Sequence, residues 1–522
     1  FLYCLPFCLL FASCSDLLDE ESYSETGKGN YLNNAKEAET VLQGVYKNLA
    51  NEYTYSYHLS LLFTISTDIA QCEGSSTTSF REIPTNSHNA STSQISRTWQ
   101  QLYSAIYDAN DFIETVSDRM DGWGSSDREL AAIYLGEARA LRALFYFELV
   151  RWYGNVVLMT STADSRKKDE DYEQSAAEDV YAYIEEDLKY AAEVLPWAVD
   201  DTKRTSNAYR FSKGAALGLL AKVYCTWAGY PVRDESKWAE AEKVARRVVE
   251  SGKHRLISDY ETVWKNTCNG IWDAGESLIE VSFYSPTGLD SDNTAGRIGK
   301  WNGVSATTID GERGRNAANW KVVYTFTRDW EAQNDPRMKL SIADYKYDHT
   351  LGSGPITYFS TISSANPSED QKNRQRQLFT PGKWDTEKYV ETSNYIVNND
   401  KSNVNWYILR YSDVLLLFAE ALNESGGSIV DAVDAVNAVR RRGFGDTKHD
   451  LSYGLSREDL REAIRKERAY ELCFEGHRKQ DLIRWGIYYD RVMETAQELV
   501  NWYSNANYAV ARYIIKGRHE LL

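Results

Sequence analysis

The chain has 522 residues, with 59 basic and 76 acidic side chains, and its formal net charge of -17 excludes electrostatic binding to nucleic acid or to an anionic membrane face. Its seven cysteines form neither a CxxC pair nor a cluster with histidine, so we expect no disulfide framework, no metal site and no cofactor. The 36 tyrosines and 15 tryptophans combine an apolar face with a polar edge, which suits a binding surface as well as a helix interface.

The first predicted element is an apolar segment, residues 1–13, with the sequence FLYCLPFCLLFAS. It is shorter than the roughly 20 residues that a transmembrane helix needs, and it is typical of the apolar part of a secretory signal peptide. Because it has neither an initiator methionine nor a basic start, we expect the sequence to begin partway into this leader. No later segment is apolar for long enough to predict a membrane span.

A lipid anchor is predicted directly after the leader. The tetrapeptide 11–14, FASC, resembles a bacterial lipobox with phenylalanine where leucine is usual, and it predicts lipidation of Cys14. Several acyl chains on one residue anchor firmly, because each buried methylene contributes about 0.8 kcal/mol. The acidic residues that follow predict a tether over residues 14–30. The alternative is an ordinary secreted protein in which this cysteine occurs by chance.

Helical periodicity in the remaining chain, residues 31–522, predicts one domain built from helix pairs of the tetratricopeptide type. Small residues recur at the spacing that lets two antiparallel helices approach closely and each pair stack on the next. Ser126 with Glu129, and Ser456 with Asp459, are spaced as capping boxes at helix starts. The predicted pairs are 31–50 with 98–117, 126–154 with 176–196, 210–228 with 236–252, and 406–424 with 428–442, followed by a closing helix at 456–486.

Two long insertions, predicted to be irregular, interrupt the helix pairs at about residues 51–97 and 255–400. The first contains a stretch rich in serine, threonine and asparagine, and the second holds most of the glycines and many of the tryptophans. Long ordered segments of this kind usually carry function in compact proteins. The insertions are therefore predicted to form the functional half of the molecule.

Several blocks of sequence, in the same order along the chain, resemble the SusD/RagB family of surface lipoproteins from Bacteroidetes. The blocks are EARALRA at 137–143, YFELVR at 146–151, YILRYSDVLL at 407–416, AEALNE at 419–424, and the residues Glu467, Arg468, Glu471, Phe474, Arg478 and Asp481 in the closing helix. The acidic run after Cys14 is similar to the tract found in family members that reach the cell surface. Family members usually continue into a proline-rich tail, so we expect the given sequence to stop short of it.

The resemblance implies a mainly α fold, in which helix pairs form a superhelical scaffold and the insertions form a ligand-binding half. It also implies a function: capture of oligosaccharide or polysaccharide at the outer face of the outer membrane. The implied partner is a SusC-type TonB-dependent transporter, to which the lipoprotein delivers the glycan. A scaffold that binds a peptide or glycoprotein in the same transporter class is the alternative.

Candidate ligand contacts are taken from the insertions, because a sugar needs a flat aromatic face for its C–H surface and planar polar groups for its hydroxyls. We expect Trp301 and Trp320 to be stacking platforms and Arg81 and Asp68 to be hydrogen-bond partners. Each aromatic residue has a core position as its alternative. The further candidates are Phe80, His88 and Asn89 in the first insertion and Trp272, Tyr284 and Asn302 in the second.

No catalytic motif is present in the sequence. Glycoside hydrolysis needs two carboxylates about 5 to 10 Å apart, and no pair is distinguished among the 76 acidic residues. HExxH, GxSxG and phosphate-loop patterns are absent from the sequence. We therefore expect a binding protein and not an enzyme.

Overall fold

The computed structural model describes residues 31–73, 79–204, 207–285, 294–308, 314–351, 356–359 and 366–502. The predicted signal peptide, the lipidation site Cys14 and the tether at 14–30 lie outside these described residues. Within them the protein is mainly helical, as predicted. No helix in the described ranges has both the length and the apolar character required to cross a bilayer.

The first six long helices form a continuous stack, because each one packs against the next along the chain. Gly124 precedes the third helix without a side-chain cap, so the predicted capping box of Ser126 and Glu129 is wrong. The six helices lie at the positions of the first three predicted pairs, and their ends are shifted by a few residues. The helices are α1 (Ala35–Lys47), α2 (Ser93–Arg119), α3 (Ser125–Tyr153), α4 (Ala177–Val194), α5 (Lys213–Ala228) and α6 (Lys237–Val249).

Helix α5 lies at the centre of the stack, and its sequence explains why. Every residue from Gly214 to Ala228 is buried, so the helix is covered on all faces, as expected for a segment that is mostly apolar. The hydroxyl of Ser212 caps its start by accepting from the backbone N–H of Ala215 at 3.2 Å. A Cβ atom at Gly218 would lie 2.9 Å from a methyl carbon of Leu409, so glycine is required for the close approach of the neighbouring strand.

The second insertion is less irregular than predicted. It contains the short helices α7 (Tyr260–Cys268), α8 (Tyr324–Glu331), α9 (Met338–Ser341), α10 (Glu369–Arg376) and α11 (Thr386–Tyr389). The described strands of the chain form four two-stranded antiparallel sheets, β1 with β3, β2 with β8, β4 with β7 and β5 with β6. These strands are β1 (Ala70–Cys72), β2 (Ser277–Val281), β3 (Trp320–Val322), β4 (Ile342–Ala343), β5 (Tyr345–Tyr347), β6 (Ile356–Tyr358), β7 (Thr380–Pro381) and β8 (Trp406–Arg410).

The last helices complete the stack, with α12 packing on α6, on α13 and on α14. The predicted single closing helix at 456–486 is wrong, because the chain breaks after α14. Phe474 and Gly476 have φ angles of 65° and 81°, which end the helical path before a second helix begins. Ser456 does cap α14 by accepting from the N–H of Asp459 at 3.1 Å. The helices are α12 (Tyr411–Ser425), α13 (Ile429–Phe444), α14 (Arg457–Glu471), α15 (Arg478–Arg484) and α16 (Tyr488–Trp502).

A fully buried cluster of charged residues joins the helical stack to the second insertion. Arg337 from the insertion contacts Glu467 and Glu471 of α14 at 2.6 and 2.9 Å. Arg410, at the end of β8, contacts Glu471 at 2.6 Å and Glu475 at 2.7 Å. The charged residues of α14 thereby hold the neighbouring elements together.

The buried carboxyl of Glu280 on β2 makes the stability of the protein depend on pH. Burial raises its pKa from 4.5 to about 7, although Asn405 Nδ2 and Ser277 Oγ each donate to it at 2.8 Å. The folded protein therefore holds this proton to a higher pH than the unfolded chain does. Unfolding releases the proton between pH 4.5 and about 7, so stability falls as the pH rises through this window.

We expect Glu280→Gln to remove this loss of stability. A glutamine amide can accept from Asn405 and donate to Ser277, and it has no proton to lose. Relative to the unsubstituted protein, its free energy of unfolding should be higher by up to about 3 kcal/mol at pH 8 and unchanged near pH 4.5. Urea titrations at several pH values measure this difference. Glu462→Gln, on the exposed surface of α14, is the control and should show no such dependence on pH. A difference that does not vary with pH would contradict the prediction.

Candidate functional site

Backbone hydrogen bonds join the two insertions and create a shared surface. Strand β1 of the first insertion pairs with β3 of the second, with Cys72 opposite Trp320. The N–H of Trp320 donates to the carbonyl of Trp301 at 3.0 Å, and the N–H of Arg297 donates to the carbonyl of Ser56 at 2.9 Å. Segment 294–302 is thereby held against residues 53–58, which lead into a short π-helix at His58–Leu62.

A recess of 310 Å³ lies where these segments meet the start of α2. Its size is at the lower end of the range for small-molecule sites, about 300 to 1,000 Å³. Both insertions contribute to it, and four of its residues carry aromatic rings of tyrosine, phenylalanine or tryptophan. We call it the aromatic recess; it is lined by Glu52, Tyr53, Tyr57, His58, Phe80, Ser93, Gln94, Arg97, Arg297 and Trp301.

The half-buried indole of Trp301 is the central ring of the recess. Its centroid lies 4.8 Å from that of Tyr57, with 55° between the planes. On its other side the ring of Phe80 stands edge-on at 5.1 Å and 76°. Such tilted and edge-to-face pairs are the favoured aromatic geometries, so the neighbours hold the indole in one orientation.

Two arginines give the recess a polar rim. The Arg297 guanidinium lies 4.6 Å from the Tyr57 ring centroid and 5.5 Å from that of Trp301, and it forms an ion pair with Glu52 at 2.7 Å. Arg97 donates to the hydroxyl of Tyr53 at 3.0 Å and lies 5.5 Å from its ring. These contacts place planar donors beside the aromatic faces.

Two buried hydrogen-bonding groups line the recess and have no partner among the described residues, the hydroxyl of Tyr57 and Nε1 of Trp301. Buried polar groups in native proteins nearly always have a partner, in the protein or in solvent. His58 has one, because its Nδ1 lies 2.7 Å from Thr98 Oγ1. Burial and the nearby arginines lower the pKa of His58 to about 3, so this imidazole is neutral at pH 7.

This arrangement can bind a polar ring compound but lacks the usual groups for hydrolysing one. Aromatic faces accept the C–H side of a sugar ring, while guanidinium, hydroxyl and indole groups match its hydroxyls. Among the described residues that line the recess, Glu52 is the one carboxylate, and it is paired with Arg297. Hydrolysis of a glycosidic bond normally requires two carboxyl groups.

Two of the predicted site residues, Phe80 and Trp301, lie in the recess. A third, Arg81, lies beside it with its guanidinium 4.6 Å from the Phe80 ring. Two others, His88 and Asn89, line a separate cavity next to the recess. The first insertion therefore supplies most of the candidates that the structure brings near one another.

The stacking role predicted for Trp320 is wrong, because its side chain is 3% exposed in strand β3. Asn302 is also wrong as a ligand contact, since it is fully buried and accepts from the N–H of Gly299 at 2.8 Å. Asp68 is in an ion pair with Arg478 at 2.6 Å and does not line the recess. Tryptophan occurs both in buried strands and on exposed binding surfaces, and the sequence alone does not distinguish these two positions.

The last two candidates lie apart from the recess and keep their predicted role as proposals. Trp272 is half-buried, with its ring centroid 6.4 Å from that of Tyr209. Tyr284 is 67% exposed, and its N–H donates to the carbonyl of Thr294 at 3.0 Å. Its open face is available to a ligand that extends across the surface.

Sequence reasoning selected two of the ten residues that line the recess and missed the other eight. Tyr53, Tyr57 and His58 fall within the first insertion, in the run NEYTYSYH directly after the first helix, but they were not selected. The dense aromatic spacing of that run was the available signal. Arg97 and Arg297 carried no local signal, because they approach the recess from separate parts of the chain.

The fold and the recess together define a class of domain in which a stack of helix pairs presents an aromatic recess between two insertions. A family model described as "SusD family" matches residues 290–520. A second, described as "Starch-binding associating with outer membrane", matches residues 16–225. A solved SusD homolog from Bacteroides thetaiotaomicron VPI-5482 is 55% identical, with 96% of each chain covered and a TM-score of 0.88. The chain belongs to the SusD/RagB family.

More distant relatives agree with this assignment. SusD-like protein P2 of Formosa agariphila is 26% identical over 487 residues, which are 91% of this chain and 88% of the relative. The solved surface glycan-binding protein A from Bacteroides fluxus is 21% identical, with a TM-score of 0.67 over 88% of this chain and 90% of its own. This last similarity shows a shared fold.

Proposed function

We propose that this protein is a cell-surface glycan-binding lipoprotein that captures an oligosaccharide or polysaccharide and delivers it to a SusC-type TonB-dependent transporter. It binds the glycan without cleaving it. The observation that carries the proposal is the aromatic recess, where the half-buried Trp301 ring and the guanidinium groups of Arg97 and Arg297 line the same space. That combination of an aromatic face and planar donors suits a sugar ring better than a purely apolar ligand.

Family membership supports the glycan as the ligand. Relatives of the same fold include a protein named for surface glycan binding, and the family model for residues 16–225 carries the words "starch-binding" in its description. The recess has the chemistry that such a ligand requires.

The leader and Cys14 support attachment to the outer face of the outer membrane. A lipobox-like tetrapeptide followed by an acidic run matches the tract of family members that are carried to the surface. The words "associating with outer membrane" in the family description agree with this location. The transporter is proposed from family membership, with the helical stack as the surface that contacts it.

Native affinity gels that contain single polysaccharides test the proposal. We expect the protein to be retarded by at least one polysaccharide and to release no reducing sugar from it during prolonged incubation. Release that is lost on substituting a single carboxylate would contradict the non-catalytic assignment. If no glycan retards the protein while the transporter still co-purifies with it, the peptide- or glycoprotein-binding alternative is correct.

The lipid anchor has a separate test. Loss of metabolic palmitate labelling in Cys14→Ala would support the anchor.

A further inference from the structure

A second cavity of 370 Å³ opens beside the aromatic recess. The start of α2 separates the two, because Ser93, Gln94 and Arg97 line the recess while Ile95 lines the second cavity. The rings of His58 and Phe63, stacked at 6.2 Å, form a similar partition on the π-helix side. We call this second space the lysine cavity; it is lined by Phe63, Ile83, His88, Asn89, Ala90, Ile95, Trp152, Tyr153 and Lys479.

Lys479 of α15 is the charged residue of this lining, and it is unusual in its surroundings. The side chain is only 6% exposed, yet it has neither an ion pair nor a hydrogen bond with any other described residue. Its ammonium lies 5.9 Å from the Trp152 ring and 5.5 Å from the Tyr488 ring. By contrast, the buried Lys222 and Lys383 contact carboxylates at 3.0 and 2.7 Å.

The missing counter-ion has a consequence for the titration of Lys479. Burial lowers its pKa to about 8, and no described carboxylate raises it again. An ammonium with a pKa near 8 is still mostly charged at pH 7. The cavity therefore contains a buried positive charge that the rest of the described protein does not neutralise, which is rare because buried charges are normally paired.

His88 supplies a second polar group on the same cavity. Its Nδ1 is buried and has no partner among the described residues. Burial lowers the pKa of His88, and the charge of Lys479 lowers it further, against the opposing effect of a hydrogen bond to the backbone of Glu82. A neutral imidazole has one N–H, so a ring that donates to that backbone presents its unpartnered Nδ1 as an acceptor. Asn89 and Ala90, both exposed, stand at the mouth.

We propose that the lysine cavity binds the carboxylate of an acidic sugar residue, with Lys479 as its counter-ion and His88 as a neighbouring polar group. The inference rests on the proposed function, because it names the class of glycan that the protein takes. The three N–H donors of the ammonium can serve both oxygens of a carboxylate. The walls from Phe63, Trp152 and Tyr153 provide apolar faces for the ring that carries the acid.

The overall charge of the protein does not oppose this assignment. A net charge of -17 repels an acidic ligand at long range, but at physiological ionic strength exposed charges are screened over about 8 Å. A buried ammonium in contact with the ligand is screened much less. The local charge therefore decides whether a carboxylate binds in the cavity.

Isothermal titration of the full chain with oligogalacturonates, oligoglucuronates and their methyl esters tests the inference. The ester keeps the sugar skeleton and removes the charge. We expect at least one acid to bind at least tenfold more tightly than its ester, and Lys479→Met to remove this difference while leaving ester binding unchanged. Lys372→Met, on α10 with a side chain 47% exposed, is the matched control and should leave the preference intact.

Three results would overturn the inference: equal affinity for acids and esters, equal loss of both in Lys479→Met, or a preference for sulfated over uronic oligosaccharides. If neutral glycans bind, and acidic ones bind no more tightly than their esters, this inference is rejected and the proposed function still holds. Methionine removes an unpaired buried charge, so the variant should melt at or above the temperature of the unsubstituted protein. As an independent readout, the acid and not its ester should protect Lys479 from reductive methylation in the unsubstituted protein.

Discussion

Replacing Glu471 by alanine should lower the free energy of unfolding by about 3 to 5 kcal/mol, the range measured when one partner of a buried ion pair is removed. Glu471 is fully buried and contacts three arginines, Arg337, Arg410 and Arg442. Those arginines hold its pKa well below the usual value, against the opposing effect of burial. Its loss would leave an excess of buried positive charge between α14, β8 and α13.

Part of this cost is spread over the cluster. Arg337 keeps Asp335 and Glu467, and Arg410 keeps Glu276 and Glu475, so no arginine is left without a carboxylate. Arg442 keeps a weaker contact with Glu276 at 3.5 Å. The expected loss in the free energy of unfolding is therefore smaller than the sum for three separate ion pairs, because the contributions of neighbouring contacts are not additive.

Urea unfolding followed by tryptophan fluorescence measures this loss. Glu462→Ala is the matched control, because Glu462 lies on the same helix with a side chain 53% exposed, and its ion pair among the described residues is with Arg465 at the surface. Its effect should stay within about 0.5 kcal/mol. A Glu471→Ala variant that unfolds at the same urea concentration as the control would show that the cluster does not stabilise the fold.

Replacing Trp301 by alanine should weaken glycan binding by at least about 30-fold, which corresponds to about 2 kcal/mol, the usual threshold for an energetic hot spot. The indole is the central ring of the aromatic recess, with Tyr57 and Phe80 against it and Arg297 beside it. Its removal takes away the stacking face, while Arg297 keeps its contact with the Tyr57 ring. Trp301→Phe keeps an aromatic face and should retain most of the affinity.

Affinity gels and titration calorimetry with the glycan that the unsubstituted protein binds measure this change. Trp238→Ala is the control, because Trp238 is also a half-buried tryptophan that packs against the core, and it lies on α6 outside the recess. Both variants should lose similar amounts of thermal stability. Unchanged binding in Trp301→Ala would show that the glycan binds elsewhere on the insertions.

Tyr57 offers a finer test of the same site. Its hydroxyl has no partner among the described residues, while its ring supports Trp301. We expect Tyr57→Phe to weaken glycan binding without disturbing the ring contacts, because it removes only the hydroxyl. Comparing this variant with Trp301→Ala separates the hydrogen-bonding part of recognition from the stacking part.

The paired helices and the family were determined by the sequence alone. Helical periodicity reports burial along a single element, so α3, α5 and α12 were recognisable from their own residues. The family blocks were recognisable for a similar reason, because each is a continuous segment. The closing helix was predicted as one element because Phe474 and Gly476 do not interrupt its amphipathic pattern, although their backbone angles end it.

The aromatic recess and the lysine cavity were decided only by the tertiary structure. The recess joins residues 52–58, the start of α2, Arg297 and Trp301. The lysine cavity joins Phe63 and residues 83–95 to the end of α3 and to Lys479 of α15. Local sequence fixes neither which insertion residues meet nor which tryptophan is buried. Trp301 and Trp320 illustrate this: both lie in the same insertion, but pairing of β3 with β1 buries the second and leaves the first at the recess.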